Sequence, residues 1–245
     1  MSLDTKTAGF IDRALSTQED CSLRAQFTLY YDLYRPKRTP APVLIALHGY
    51  GANKRQMMRE AKLIAPDDFA IVSLQGPYQH IREPKQQGGP LRFGFGWLTN
   101  FRPEESHQIH HKAVNDLIEA LVNDGTVESN RVFLLGFSQS CALNYRFAFS
   151  NPRRLRGVIG ICGGIPGDWD TNDKYQQITA DVFHLAGTRD EFYPPDRIRD
   201  YERQLATRAR SVTFKSYEAA HEIVDEMRTD VKQWLINRNK TSEGS

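Results

Sequence analysis

Apolar and polar positions fall into two repeating patterns along this chain. Short, β-rich apolar runs close on turn residues at FTLYYDLY (27–34), VLIALHG (43–49), FAIVSLQG (69–76), RVFLLG (131–136), RGVIGICGG (156–164), DVFHLAG (181–187) and SVTFKSY (211–217). Several are apolar throughout, which suits strands covered on both faces, as in a mostly parallel sheet. FTLYYDLY reads instead as an outer strand with one solvated side. Helical spacing appears between the runs. Over 103–123, Val114, Leu117, Ile118 and Leu121 share a face, and Pro103, Glu104 and Glu105 make a first turn. Val224, Met227, Val231 and Trp234 repeat that spacing near the C-terminal end.

Alternating strands and helices predict an α/β fold: a doubly wound, mostly parallel sheet flanked by helices, with right-handed crossovers. A chain of 245 residues, 40% of them hydrophobic, can bury one large core, so a single domain over 1–245 is expected. No internal repeat or linker interrupts it, and the extreme ends, MSL and TSEGS, carry little pattern. One stretch breaks the rhythm. Residues 79–108, QHIREPKQQGGPLRFGFGWLTNFRPEESHQ, form a long connection rich in Gly, Pro and aromatics, where links of about 4–6 residues are usual. Its expected role is a lid or substrate loop.

Charge and cysteine content remove several function classes. Thirty-two Lys+Arg against thirty Asp+Glu leave a net charge of +2 without long single-sign blocks, which argues against nucleic acid as a partner. No apolar run approaches the roughly 18 residues of a spanning helix, and MSLDTKTAGFIDRAL lacks the apolar core of a secretory signal, so no stable membrane insertion is expected. Cys21, Cys141 and Cys162 are odd in number and contain no CxxC pair, which fits a reducing, cytoplasmic location. A homodimer stays open.

The chemistry centres on RVFLLGFSQSCALNYRFAF (131–149). A strand ending at Gly136-Phe137 and a helix starting near Ser138 force a tight turn that pushes the serine outward in an unfavourable backbone conformation. The motif is G-x-S-x-S, with Ser140 where a second glycine is more usual. The Gln139 amide lies at the helix N-terminus and can point at negative charge forming on an attacked carbonyl oxygen. Truncating the Gln139 side chain leaves that amide, so its effect is expected to be mild. A serine hydroxyl needs an imidazole to take its proton and a carboxylate to orient the imidazole. Asp190 follows the strand DVFHLAG on GTRDEFYPP, and His221 precedes the final helix on YEAAHEIVDEM. Ser138, Asp190, His221 is the nucleophile, acid, base order of α/β-hydrolases. HGYG (48–51) follows an early strand, and its Tyr50 amide can supply the second half of an oxyanion hole.

With HGYG, GFSQS, GGIP (163–166), GTRD and AHEI in this order, the sequence resembles the phospholipase/carboxylesterase family of serine hydrolases from about residue 25 to residue 237. That family includes acyl-protein thioesterases and lysophospholipases and neighbours the dienelactone-hydrolase-like enzymes. The resemblance implies an α/β-hydrolase fold and hydrolysis of a small-molecule ester or thioester through an acyl-enzyme on Ser138, without cofactor or metal. Ala220 stands where the family carries glycine before the histidine.

Plainer roles compete at each position. Glu191 and Asp181 are rivals of Asp190, but Glu191 fits a solvated surface and Asp181 begins a strand; Arg189 reads as surface charge. His107, His110 and His111 have helical spacing but no carboxylate partner that would suggest a metal site. His184, inside an apolar strand, reads as a hydrogen-bonded core residue, and Cys141 as a small residue packed on the sheet. The aromatics Tyr50, Tyr78, Phe93, Phe95, Trp97, Phe101, Phe192 and Tyr193 lie on connections at the carboxyl side of the sheet, where α/β folds bind ligands. Tyr50, Trp97, Phe192 and Tyr193 are accordingly the expected substrate-binding residues, beneath the lid. A peptidase or an aryl- or sugar-ester esterase on the same scaffold, and a non-catalytic binding module, are the alternatives.

Overall fold

The computed structural model describes residues 21–240 apart from Arg24, Lys85 and Gln87. MSL, TSEGS and the whole MSLDTKTAGFIDRAL stretch lie outside the described residues. In chain order the elements are β1 (Tyr31–Tyr34), β2 (Ala41–Leu47), α1 (Lys54–Ile64), β3 (Ala70–Leu74), β4 (Tyr78–Arg82), β5 (Arg92–Gly96), α2 (Pro103–Asn123), β6 (Val127–Phe137), α3 (Gln139–Ser150), β7 (Gly157–Ile161), β8 (Asp181–Gly187), α4 (Pro195–Ile198), α5 (Tyr201–Ala206), β9 (Ser211–Tyr217) and α6 (Asp225–Asn239).

Seven strands form one sheet in the order β1-β3-β2-β6-β7-β8-β9. β1 runs antiparallel to β3 at the edge, and the other pairings in this sheet are parallel. The first apolar run thus contributes only its last four residues, with Tyr31 and Tyr34 exposed on that edge. Strand order reverses where β2 meets β6. A crevice opens at such a switch point beyond the carboxyl ends of the strands, and here the two ends in question are the HGYG turn and Ser138.

The apolar runs lack a simple alternation because each strand feeds two cores. Along β2, Val43, Ile45 and Leu47 join α2 and α3 on one face, while Leu44 and Ala46 join α1 and α6 on the other. β6 divides in the same way, Val132 and Leu134 against Phe133 and Leu135. A side-chain period of two with both faces covered makes every position apolar. Full burial of each such aliphatic side chain contributes roughly 1.5–3 kcal/mol. The α2 stripe begins a turn earlier than its aliphatic residues suggest, at buried Ser106 and His110, and α6 buries Met227, Val231, Trp234 and Leu235.

The segment 79–108, expected as a lid or substrate loop, carries regular structure of its own. Residues 79–82 and 92–96 belong to a hydrogen-bonded antiparallel ribbon, β4 paired with β5 from Tyr78↔Gly96 to Arg82↔Arg92, and the last residues of the segment begin α2. Strand pairing was obscured in the sequence because Gly94 and Gly96 lower the strand propensity of β5 and because the turn is long. The sequence pattern also did not mark α1, whose apolar positions Met57, Met58, Ala61 and Ile64 are diluted by charged neighbours, or the short helices α4 and α5.

His184 and His110 are fully buried polar residues in this interior. His184 Nδ1 lies 2.9 Å from the Tyr145 hydroxyl, and His110 Nε2 lies 3.0 Å from Asn144 Oδ1. Burial disfavours the imidazolium, pushing His184 down to about 4 and His110 down to about 3. A histidine depressed in the folded state binds fewer protons there than when unfolded, so folding free energy is lost as pH falls from about 6.5 toward those values. The melting temperature should therefore decline between pH 6.5 and 4, and His184→Phe, which removes one of the titrating groups, should flatten that decline in a pH series of thermal melts.

Candidate active site

Ser138 sits between the last residue of β6 and the first residue of α3, with φ 56° and ψ −115°. A non-glycine residue rarely holds a positive φ, and doing so costs on the order of 1–3 kcal/mol. Neighbouring bonds hold it there: the Ser138 amide donates to Ile161 O on β7 at 2.9 Å, and Ser138 O accepts the Cys141 amide at 3.1 Å. Ser140, in the position where glycine is more usual, adds a third tie. Its buried hydroxyl accepts the Phe137 amide at 3.0 Å and donates to Leu47 O at 2.9 Å, fastening the turn to the end of β2.

The turn from β2 runs close beside the serine. A Cβ on Gly49 would lie 2.9 Å from the Phe137 ring and 3.2 Å from Ser138 Cβ, so only glycine fits. His48, just before it, is buried; its Nδ1 donates to Gly49 O at 2.8 Å and its Nε2 accepts the Gly76 amide at 2.9 Å. Burial lowers His48 to about 4, so the ring is neutral and keeps both bonds. In the sequence, the only sign of His48's role is that it is a polar side chain ending an all-apolar run. The amides of Gly51 and Ala52 donate to Phe95 O and Gly49 O. Among the described residues no backbone carbonyl accepts the Tyr50 amide. Gln139 is the first residue of α3, where amides have no intrahelical acceptor. Its side chain is not idle, since Oε1 accepts the Trp97 amide at 2.8 Å. The expectation that truncating it is mild therefore needs revision.

Asp190 and His221 arrive from the ends of β8 and β9. His221 Nε2 lies 2.9 Å from Ser138 Oγ, and His221 Nδ1 lies 2.9 Å from Asp190 Oδ2. The carboxylate can only accept, which fixes the proton on Nδ1 and leaves Nε2 to accept from the serine hydroxyl. Asp190 is buried, and its second oxygen accepts the Phe192 and Tyr193 amides at 2.9 Å each. The two loops are tied by Thr188 N to Tyr217 O at 2.8 Å and Arg189 N to Ala219 O at 2.9 Å. Glu191 is exposed, Arg189 pairs with Glu218 at the surface, and Asp181 begins β8 bound to Arg210 and Ser211.

Phe192 and Tyr193 flank the imidazole at ring-centroid distances of 4.7 and 6.1 Å, and Phe137 closes a third side at 5.0 Å. Tyr50 is 64% exposed, its ring stacked on His80. Trp97 is a correction: only 1% exposed, it lines no open surface. Its indole Nε1 donates to His48 O at 2.9 Å, and its ring packs against His48 and His110. Glycine-spaced aromatics do not reveal which face they turn inward. A cavity of about 380 Å³ does open beside His221 and Phe137, but α1 and the histidine loop line it through Ala52, Gln56, Met57 and Ile223, with none of the hairpin aromatics. Cys141 is buried against the sheet, and among the described residues no group of three or more His, Cys, Asp or Glu gathers as a metal site.

The fold is that of solved α/β-hydrolases. It is similar to a carboxylesterase of Bacillus cereus, with a TM-score of 0.68 at 18% identity covering 86% of this chain and 94% of that one. SOBER1 of Arabidopsis thaliana matches with a TM-score of 0.66 at 18% identity, covering 81% of this chain and 99% of that one. Residues 31–238 match the phospholipase/carboxylesterase family, and the chain belongs to that family. Among curated proteins it is 21% identical over 210 residues to epoxide hydrolase B of Mycobacterium tuberculosis, covering 85% of this chain and 49% of that protein. The chain thus spans about half the length of the curated relatives it matches.

Ser140→Gly, although it restores the more usual motif, should destabilise the protein by about 1–3 kcal/mol, because it leaves the Phe137 amide and Leu47 carbonyl without that partner. At roughly 2–4 °C per kcal/mol for a chain of this size, a thermal melt of the variant reads the loss directly.

Proposed function

We propose that this protein is a serine hydrolase that cleaves carboxylic esters or thioesters through an acyl-enzyme on Ser138. The observation that carries the reading is the unbroken relay from Ser138 Oγ through both nitrogens of His221 to Asp190, each step 2.9 Å. In this reading His221 Nε2 takes the hydroxyl proton as Ser138 Oγ attacks the substrate carbonyl carbon. The amides of Tyr50 and Gln139 receive the developing oxyanion, the term that commonly contributes most to such a reaction. Collapse expels the alcohol or thiol, which leaves with the proton from Nε2. Water, deprotonated by the same nitrogen, then attacks the acyl-enzyme and releases the carboxylic acid and free Ser138.

Asp190 acts by holding the ring and stabilising the imidazolium that forms, and its burial with two backbone donors keeps it in place for that role. Every proton and electron pair moves among these side chains, the substrate and water, so the chemistry requires no cofactor. Family membership supports this reading, as does an elbow residue that is an alcohol aligned on an imidazole. A reducing, cytoplasmic setting remains the reading of the cysteine pattern. No helix among the described residues is long and apolar enough to cross a membrane.

Ser138→Ala should lower turnover of a p-nitrophenyl ester by a factor on the order of 10³ or more and abolish labelling by a fluorophosphonate, with circular dichroism unchanged. Ester hydrolysis at a comparable rate in that variant would eliminate the assignment. Asp190→Asn should cost roughly 10⁴ in kcat, because the amide favours the wrong tautomer of His221.

A further inference from the structure

The β4–β5 hairpin and Trp97 touch four of the five residues of the turn 48–52. Trp97 Nε1 donates to His48 O at 2.9 Å. The His80 ring stacks on Tyr50 with centroids 4.4 Å apart and planes inclined by 7°. Arg82 Nη1 donates to Gly51 O at 2.9 Å. Phe95 exchanges two backbone bonds with the turn, accepting from Gly51 N at 2.9 Å and donating to Ala52 O at 3.0 Å. The hairpin's exit is also fastened to the nucleophile helix, through the Trp97 amide and Gln139 Oε1 at 2.8 Å. The fit is close: a Cβ on Gly94 would lie 2.7 Å from Gly51 Cα and 2.8 Å from Gly51 O.

We propose that this hairpin is a fixed brace for the oxyanion hole, and that Trp97 and Arg82 are positioning residues that set where the Tyr50 amide points. The inference rests on the reading of Tyr50 and Gln139 given above and adds to it what holds the two donors in mutual register. Tyr50 has no regular secondary structure of its own to fix its amide; Gln139 has a helix. Gln139 and Trp97 meet through the 2.8 Å bond, and Trp97 and His48 through the 2.9 Å bond. One residue thus links the helix bearing one donor, through its backbone amide, to the turn bearing the other, through its indole. An oxyanion hole works by being organised before charge develops, so a donor moved by a fraction of an ångström loses transition-state stabilisation while ground-state binding is little altered. A lid would behave differently. It would act on substrate entry and binding, and it would not be hydrogen-bonded through its backbone to the turn it covers.

Three variants separate these behaviours. Trp97→Phe keeps a buried ring and removes the indole donor, Arg82→Met keeps an apolar stem and removes the guanidinium, and Gly94→Ala wedges the hairpin away from Gly51. With a p-nitrophenyl ester, each should lower kcat about ten-fold to a hundred-fold with KM within about two-fold of wild type. The inhibition constant of an aryl boronic acid, whose tetrahedral adduct occupies the oxyanion hole, should rise in proportion. Folded variants with unchanged kcat and boronate affinity would overturn the brace, as would a raised KM at constant kcat, the pattern of a substrate lid. If Trp97→Phe or Gly94→Ala fails to fold, Arg82→Met decides, since Arg82 is exposed on β4. Ser138→Ala keeps the two ideas apart. Activity surviving in Ser138→Ala would remove the serine mechanism itself, whereas an inactive Ser138→Ala beside fully active hairpin variants would remove only the brace.

Discussion

The arrangement depends on a single backbone constraint, the positive φ of Ser138 at the end of β6. A peptide in that conformation cannot persist by itself. It is held because β7 accepts its amide, α3 begins immediately after it, and the Ser140 hydroxyl fastens the preceding residue to β2. Two cores back the central strands, so the strain is a small local term against a large burial term. The bend lifts Oγ out of the sheet to the place where three other loops end.

Those loops converge because parallel strands send all their carboxyl ends to the same rim. The β2 turn brings Tyr50, the β8 loop brings Asp190 and the β9 loop brings His221, and direct backbone bonds join the last two loops. Imidazoles serve two different purposes within this frame. His221 is partly accessible and bonded on both nitrogens to side chains, Ser138 on Nε2 and Asp190 on Nδ1. His48 is buried and neutral and organises backbone; His110 and His184 are equally neutral but lie deeper in the packing.

The parts of this design that repeat along the chain were legible before any coordinates. The runs 181–187 and 211–217 coincide with β8 and β9 to the residue, because apolar stretches bounded by turn residues leave few other foldings. Ser138, Asp190 and His221 were readable from their order and their positions after strands. What was not legible depends on contacts between distant segments. Neither a glycine-rich strand nor a long turn announces a ribbon, so β4 and β5 read as loop. Trp97 looked like a pocket wall because its type and position allow that, and only the packing of His48 and His110 around it shows that it faces inward. Ser140 read as a departure from pattern, although its hydroxyl does bonding work that a glycine cannot.

Among the described residues, the ribbon and its exit bond to the HGYG turn and α3 through Arg82, Phe95 and Trp97, whereas Gly88, in the connection between its strands, has open space where a side chain would project. Gly88 lies beyond the Arg82↔Arg92 pair, so a change there has little leverage on the Ser138 turn. Variation at that outer turn is thereby decoupled from the geometry around Ser138.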